Sequence, residues 1–158
     1  MNNLISWQVC TSEQSKKLKE LGINQISFFA WISEGELVSA HSKTLPLLAI
    51  ATDFYSAYTV AELGLMLPDY LPSIGNLEIG KCETDHISMK RLEKSWWNVS
   101  YWNWGVMETP SGDTYLKQKD NHLHQFPTQA EAMAAMLIFL INEGKITVDE
   151  CNKKLTEL

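Results

Sequence analysis

Four threonines in this chain each stand three residues before a glutamine or glutamate, and that repeated spacing constrains the fold more than any other feature. The pairs are Thr11 with Gln14, Thr59 with Glu62, Thr128 with Glu131, and Thr147 with Glu150. In a capping box the threonine hydroxyl accepts a hydrogen bond from the third helical amide, and the Gln or Glu side chain reaches back to the threonine amide. One such match carries little weight, but each of these is followed by a helical pattern. The spacing predicts helices over Ser12 to Leu21, Val60 to about Met66, Gln129 to Glu143, and Val148 to Leu155. Gly22 and Gly144 stand where left-handed C-caps belong, and Ile23 suits the apolar contact that often accompanies the first. Pro68 stops the second helix. The third is apolar nearly all round: Met133, Met136, Leu137, Leu140 and Ile141 form one stripe, with Ala134, Ala135, Ile138 and Phe139 beside it. A helix of that kind is expected at the centre of a core.

The intervals between the helices read as strands. Ile26 to Ile32 is rich in β-formers, and Ser33-Glu34-Gly35-Glu36 reads as a hairpin turn into Leu37 to Ala40. Leu47 to Ala51 is a further apolar run, whereas Asp69 to Lys81, with Pro72, Gly75 and Gly80, reads as a loop. Trp96 to Val106 is the clearest strand, and Thr114 to Lys119 returns as its partner after a turn at Thr109 to Asp113. No repeat or linker divides the 158 residues, a length that suits one domain. The expected fold is therefore a single α+β domain, with an antiparallel sheet of two hairpins covered by helices on both faces.

Four of the six tryptophans fall within Trp96 to Trp104. Successive strand residues point to opposite faces, so Trp96, Asn98, Ser100, Trp102 and Trp104 share one face and Trp97, Val99, Tyr101 and Asn103 the other. Large rings on both faces mean a strand covered on both sides, or one with a face in a binding site. On the second reading Trp96, Trp102, Trp104 and Tyr101 are candidate ligand-binding residues, stacking on a base, a sugar ring or an aromatic side chain.

Charge and composition exclude several classes. The net charge is −6 and Arg91 is the one arginine, which argues against a duplex reader built on phosphate neutralisation and bidentate arginines. Cys10, Cys82 and Cys151 are odd in number and widely spaced, so neither a disulfide framework nor a CxxC site is indicated, and a reducing cytoplasm is expected. The N-terminus lacks a basic start and an apolar core, so it does not read as a signal peptide. The longest strongly apolar run, Ala132 to Ile141, falls short of the ~20 residues that span a bilayer.

Candidate chemistry is sparse. His122-Leu123-His124 places two imidazoles on one strand face, and Cys82 with His86 could complete a zinc site, although no motif spacing is matched. The alternative is two polar edge residues and an unrelated cysteine, and no metal or other cofactor is expected. Gly75 to Cys82 has the G-x4-G-K outline of a P-loop, but Cys82 stands where a Ser or Thr would ligate magnesium and Glu78 would sit in the phosphate cradle. His86-Ile87-Ser88 is a lone H-x-S element without a second to face it. No G-x-S-x-G elbow is present. Asp53 with Glu62 and Asp113 with Asp120 are carboxylate pairs that read as surface charge, and Asp53 also ends an apolar run.

Two segments resemble a known group. Tyr58 to Pro68 (YTVAELGLMLP) is similar to a "PTVAELGEMLP" stretch, and Thr128 to Leu140 (TQAEAMAAMLIFL) to a closing "TEADARAKMLIYLL" helix, in small prophage-associated bacterial proteins, especially of Bacteroidetes. The early helix ending at Gly22 and the Trp97, Val99, Tyr101 strand fit the same order. The layout also resembles phage α/β/α sandwich domains. The resemblance implies an intracellular protein associated with a mobile element; the group carries no assigned activity, so it transfers no site. The expected function is a non-enzymatic binding protein acting on a host protein partner, with self-association as a homodimer open beside it. A nucleotide or small-molecule binder using the aromatic strand is the first alternative, and a hydrolase with an unrecognised site is the second.

Overall fold

The computed structural model describes residues 5–32, 35–39, 54–71, 75–82, 96–108 and 114–157. Within the strands over 75–82, 96–108 and 114–126, the side chains described are those of Ile79, Trp97, Val99 and Phe126.

All four threonine caps form. Helix α1 (Ser12–Glu20) opens on a complete capping box, with Thr11 Oγ1 accepting from the Gln14 amide and Gln14 Oε1 from the Thr11 amide, both at 3.2 Å. Helices α2 (Val60–Met66) and α4 (Val148–Thr156) open the same way. In α3 (Gln129–Asn142) Thr128 accepts from the Glu131 amide, but Glu131 bonds the threonine hydroxyl instead of its amide. The two glycine ends also form. Gly22 (φ 96°) and Gly144 (φ 63°) each close a Schellman motif, with the Ile23 amide on the Leu18 carbonyl and the Lys145 amide on the Leu140 carbonyl.

The strands divide between two antiparallel sheets among the described residues. In the smaller, β1 (Phe29–Ile32) lies between β2 (Glu36–Ser39) and β3 (Tyr55–Ser56). Gly35, at φ 74°, donates its amide to the Ile32 carbonyl, while Ser33 and Glu34 of the expected turn lie outside the described residues. The larger sheet runs β4 (Tyr70–Leu71), β5 (Gly75–Cys82), β6 (Trp96–Glu108), β7 (Thr114–Phe126). Two corrections follow. The segment expected as a loop over 69–81 holds β4 and most of β5, because Leu77 and Ile79 alternate with Asn76 and Glu78 and find in β6 a partner long enough to pair every residue from Asn76 to Cys82. The return strand runs to Phe126 rather than Lys119, since the first part of β6, Trp97 to Trp102, offers partners beyond Lys119. The expected strand at 47–51 and the turn at 109–113 lie outside the described residues.

The mixed α+β class expected from the sequence is the class observed. Its core is built on α3, whose Ala130, Ala132, Met133, Ala134, Met136, Leu137 and Leu140 are buried, as its all-round apolarity implies. The helix packs on α1, α2, β6 and β7. One cluster joins it to Leu18, Leu63, Met66, Val99 and Leu155, so both the helices and the larger sheet share the same interior.

Candidate functional site

The aromatic strand β6 is central in its sheet, and its register sorts the candidate residues. Val99 pairs with Ile79 on one side and Leu123 on the other. Val99 is fully buried, and Ile79, Trp97 and Phe126 pack against the core. The parity that contains Trp97 and Val99 is therefore the one turned to the interior. Tyr101, opposite Leu77 and Asn121, falls on that parity. Trp96 (opposite Cys82), Trp102 (opposite Asn76 and Asp120) and Trp104 (opposite Gln118) fall on the other. The four candidate ligand-binding residues thus divide three to one, and Tyr101 does not share a face with the three tryptophans.

The histidine pair lies where the ladder is irregular. Ser100 pairs with His122 and Val99 with Leu123, but Trp97 pairs with Phe126, so two steps along β6 span three along β7. His124 and Gln125 occupy this bulge, which breaks the alternation that was expected to align His122 with His124. Cys82 is on β5, across β6 from β7, and its register partner Trp96 stands four residues from Ser100. At ~4.8 Å between strands and ~3.3 Å per residue, the Cys82 and His122 backbones are about 16 Å apart. A zinc ion with ~2 Å bonds does not bridge that gap. His86 lies outside the described residues, as do His41 and Asp53. Among the described residues, no three His, Cys, Asp or Glu side chains gather into a metal-holding group.

The G-x4-G-K outline forms no phosphate loop, in line with the misplaced Cys82 and Glu78. Gly75–Cys82 is an extended strand paired antiparallel with β6. A phosphate cradle needs a curled loop whose amides converge on one point, and a laddered strand has no such concavity.

The two described thiols are held in their neutral form. Cys10 is buried with Sγ 3.2 Å from Ser15 Oγ, and burial pushes its pKa up to about 11. Cys151, also buried, is pushed up to about 11 by the same cause. At neutral pH neither supplies the thiolate that nucleophilic chemistry requires.

Glu62 is not the surface charge expected. It is 2% exposed, and its carboxylate is filled by donors from two parts of the chain. Oε2 accepts from the Thr59 amide (2.7 Å), the Thr59 hydroxyl (2.8 Å) and the Ser27 hydroxyl (3.0 Å), and Oε1 from the Phe28 amide (3.3 Å). Beside it Tyr58 is fully buried, its hydroxyl donating to the Asn24 carbonyl at 2.6 Å and accepting from Gln25 at 3.1 Å; burial raises its pKa further above the ordinary tyrosine value. These groups fix the backbone of residues 23–28 against α2.

That fixed segment presents what the sequence reading missed. Ile26 is 50% exposed and Phe28 46%, while Ser27 between them turns inward to Glu62 and the Ala57 carbonyl. Leu65, one turn along α2 from Glu62, is exposed as well. The signal lay in the alternation: read as a strand, Ile26 and Phe28 flank a serine, and the serine is the residue with buried partners. Compared with protein-family models, with curated proteins and with solved structures, the chain matches none.

Proposed function

We propose that this chain is a non-enzymatic binding protein whose partner is another protein, docked on the apolar side chains of the 23–28 segment. The carrying observation is the exposure of Ile26 and Phe28 on a backbone pinned by Glu62 and Ala57. Their exposed area is on the order of 200 Å², so covering it contributes about 5 kcal/mol at ~25 cal/mol per Å². Because hydrogen bonds to buried groups already hold the segment, little ordering entropy opposes docking. The resemblance to prophage-associated proteins would set the partner in the cytoplasm of a bacterial host.

The test uses immobilised wild type and the Ile26→Glu/Phe28→Glu variant as baits for host-cell extract, with both first shown to unfold at the same temperature. A protein retained by the wild type and lost by the variant is the expected outcome. The same proteins on both baits would sink the proposal. Sedimentation velocity of the bait alone separates a second copy of the chain from a foreign partner.

A second reading is favoured by the register of β6. Trp96, Trp102 and Trp104 share the parity opposite the buried Val99, as a stacking wall for a flat ligand requires. Iodide quenching during titration with nucleotides tests it: a quenchable fraction protected by one nucleotide and absent in Trp102→Ala supports the wall, and no protection by any of them refutes it.

A further inference from the structure

A cavity of about 290 Å³ opens between the end of α2, β4 and α4, and neither the proposed docking segment nor the aromatic strand contributes to it. Its floor is apolar: Met66 and Cys151 are each 1% exposed. Tyr70, which is 57% exposed, also lines the cavity, as do Lys145 and Lys154. Glu150 is the carboxylate in the wall, and it is already occupied. Its Oε2 accepts from the Thr147 amide at 2.9 Å and the Thr147 hydroxyl at 2.8 Å, completing the α4 cap. Those bonds, aided by the charge of Lys154, hold its carboxyl below the usual range. Among the described residues neither lysine has an ion pair within 4 Å, the one such pair being Lys17 with Glu20. The lining therefore combines a cationic excess with an apolar floor and an exposed ring.

We infer that this cavity binds a small amphipathic anion, its aromatic or aliphatic body on the Met66 and Cys151 floor beside Tyr70 and its carboxylate or phosphate between Lys145 and Lys154. The volume stands at the lower end of ligand pockets and suits a body of one or two rings. Apolar contact would supply the affinity. The two lysines would select for charge at the exposed end, where each ion pair is individually modest.

The experiment titrates 1-naphthoate, 1-naphthyl phosphate and 1-naphthol into protein carrying 13C-labelled methionine methyl groups, with Met66 assigned by Met66→Leu. The expected result is a saturable shift of the Met66 methyl with both anions and a much weaker one with 1-naphthol, which is neutral at pH 7. Met133, whose methyl lies against Gly64 on another side of α2, stays in place. Lys145→Gln/Lys154→Gln should weaken both anions by about two- to thirtyfold, the combined effect of two exposed ion pairs. Tighter binding of the phosphate identifies a phosphate-bearing ligand, and equal or tighter binding of the carboxylate an organic acid. Absence of a saturable Met66 shift, equal binding of 1-naphthol, or unchanged affinity in the double variant each overturns the inference.

Discussion

Replacing Glu62 by alanine tests whether this buried carboxylate ties two distant parts of the chain together. The substitution removes the acceptor of the Thr59 amide and of the Phe28 amide, two backbone donors in a part-buried setting. The hydroxyl donors lose less, since Ser27 also reaches the Ala57 carbonyl at 3.0 Å. An orphaned buried donor costs ~1–3 kcal/mol, so the two amides together predict a loss of about 2–6 kcal/mol, a large fraction of a small domain's stability. The chain contains its own controls. Glu150 sits in an exposed box of the same geometry, and Glu131 in a part-buried box whose return bond goes to a hydroxyl. Glu62→Ala, Glu131→Ala and Glu150→Ala are compared by urea unfolding, at constant m-value, with Glu62→Ala expected to cost the most. If it costs no more than Glu150→Ala, the buried donors are satisfied by water and the reasoning is wrong. A Ser27→Ala/Glu62→Ala cycle then reads the coupling between segment and helix, expected at about 1 kcal/mol.

The same substitution should act with opposite sign at two glycines: Gly64→Ala in α2 gains ~0.5–1 kcal/mol, since its new methyl meets only the flexible Met133 end at 3.5 Å, whereas Gly144→Ala at φ 63° loses ~1 kcal/mol; thermal unfolding reads both. The raised thiols predict alkaline weakening. A Cys10 pKa of about 11 in the fold against 9.0 unfolded favours the neutral thiol, so its stabilisation is complete below pH 9 and is lost as pH rises towards 11. Two pKa units correspond to about 2.7 kcal/mol, and the fall should be shallower in Cys10→Ala. In a Cys82→Ser background a disulfide reagent at pH 8 should label Cys10 and Cys151 only as fast as the protein opens, because the thiolate fraction is ~0.001; immediate labelling of either would contradict their burial. Asn152→Ala should loosen the chain after α1 by about 1 kcal/mol, as its amide donates to the Gly22 carbonyl and its oxygen accepts from the Asn24 amide; faster hydrogen exchange at Asn24 is the readout.

The helices were legible because their punctuation is local. A Thr hydroxyl three residues from a Glu, or a glycine after the last apolar residue, completes its bonds within one turn, so Thr59 and Gly22 announce helix ends whatever packs around them. Strand β5 was illegible for the converse reason. Gly75, Gly80 and the nearby Pro72 are punctuation that favours a loop, and what overrides it is β6, twenty residues away, supplying a partner for each position from Asn76 onward. Propensity is a weak term beside a completed ladder.

The candidate site divides along the same line. Period-two alternation placed Trp96, Trp102 and Trp104 on one parity and Tyr101 on the other without any structure. Which parity faces the interior depends on α3 lying against Val99, a contact made by a helix that begins thirty residues later. Glu62 is the sharpest instance. Its spacing from Thr59 identifies a cap, and the cap forms, yet the same carboxylate also binds Ser27 and Phe28, more than thirty residues earlier. Nothing in a capping box announces a second set of donors. It is that second set which pins the 23–28 backbone with Ile26 and Phe28 about half exposed, so the surface best suited to a partner is fixed by a residue whose local reading is purely structural.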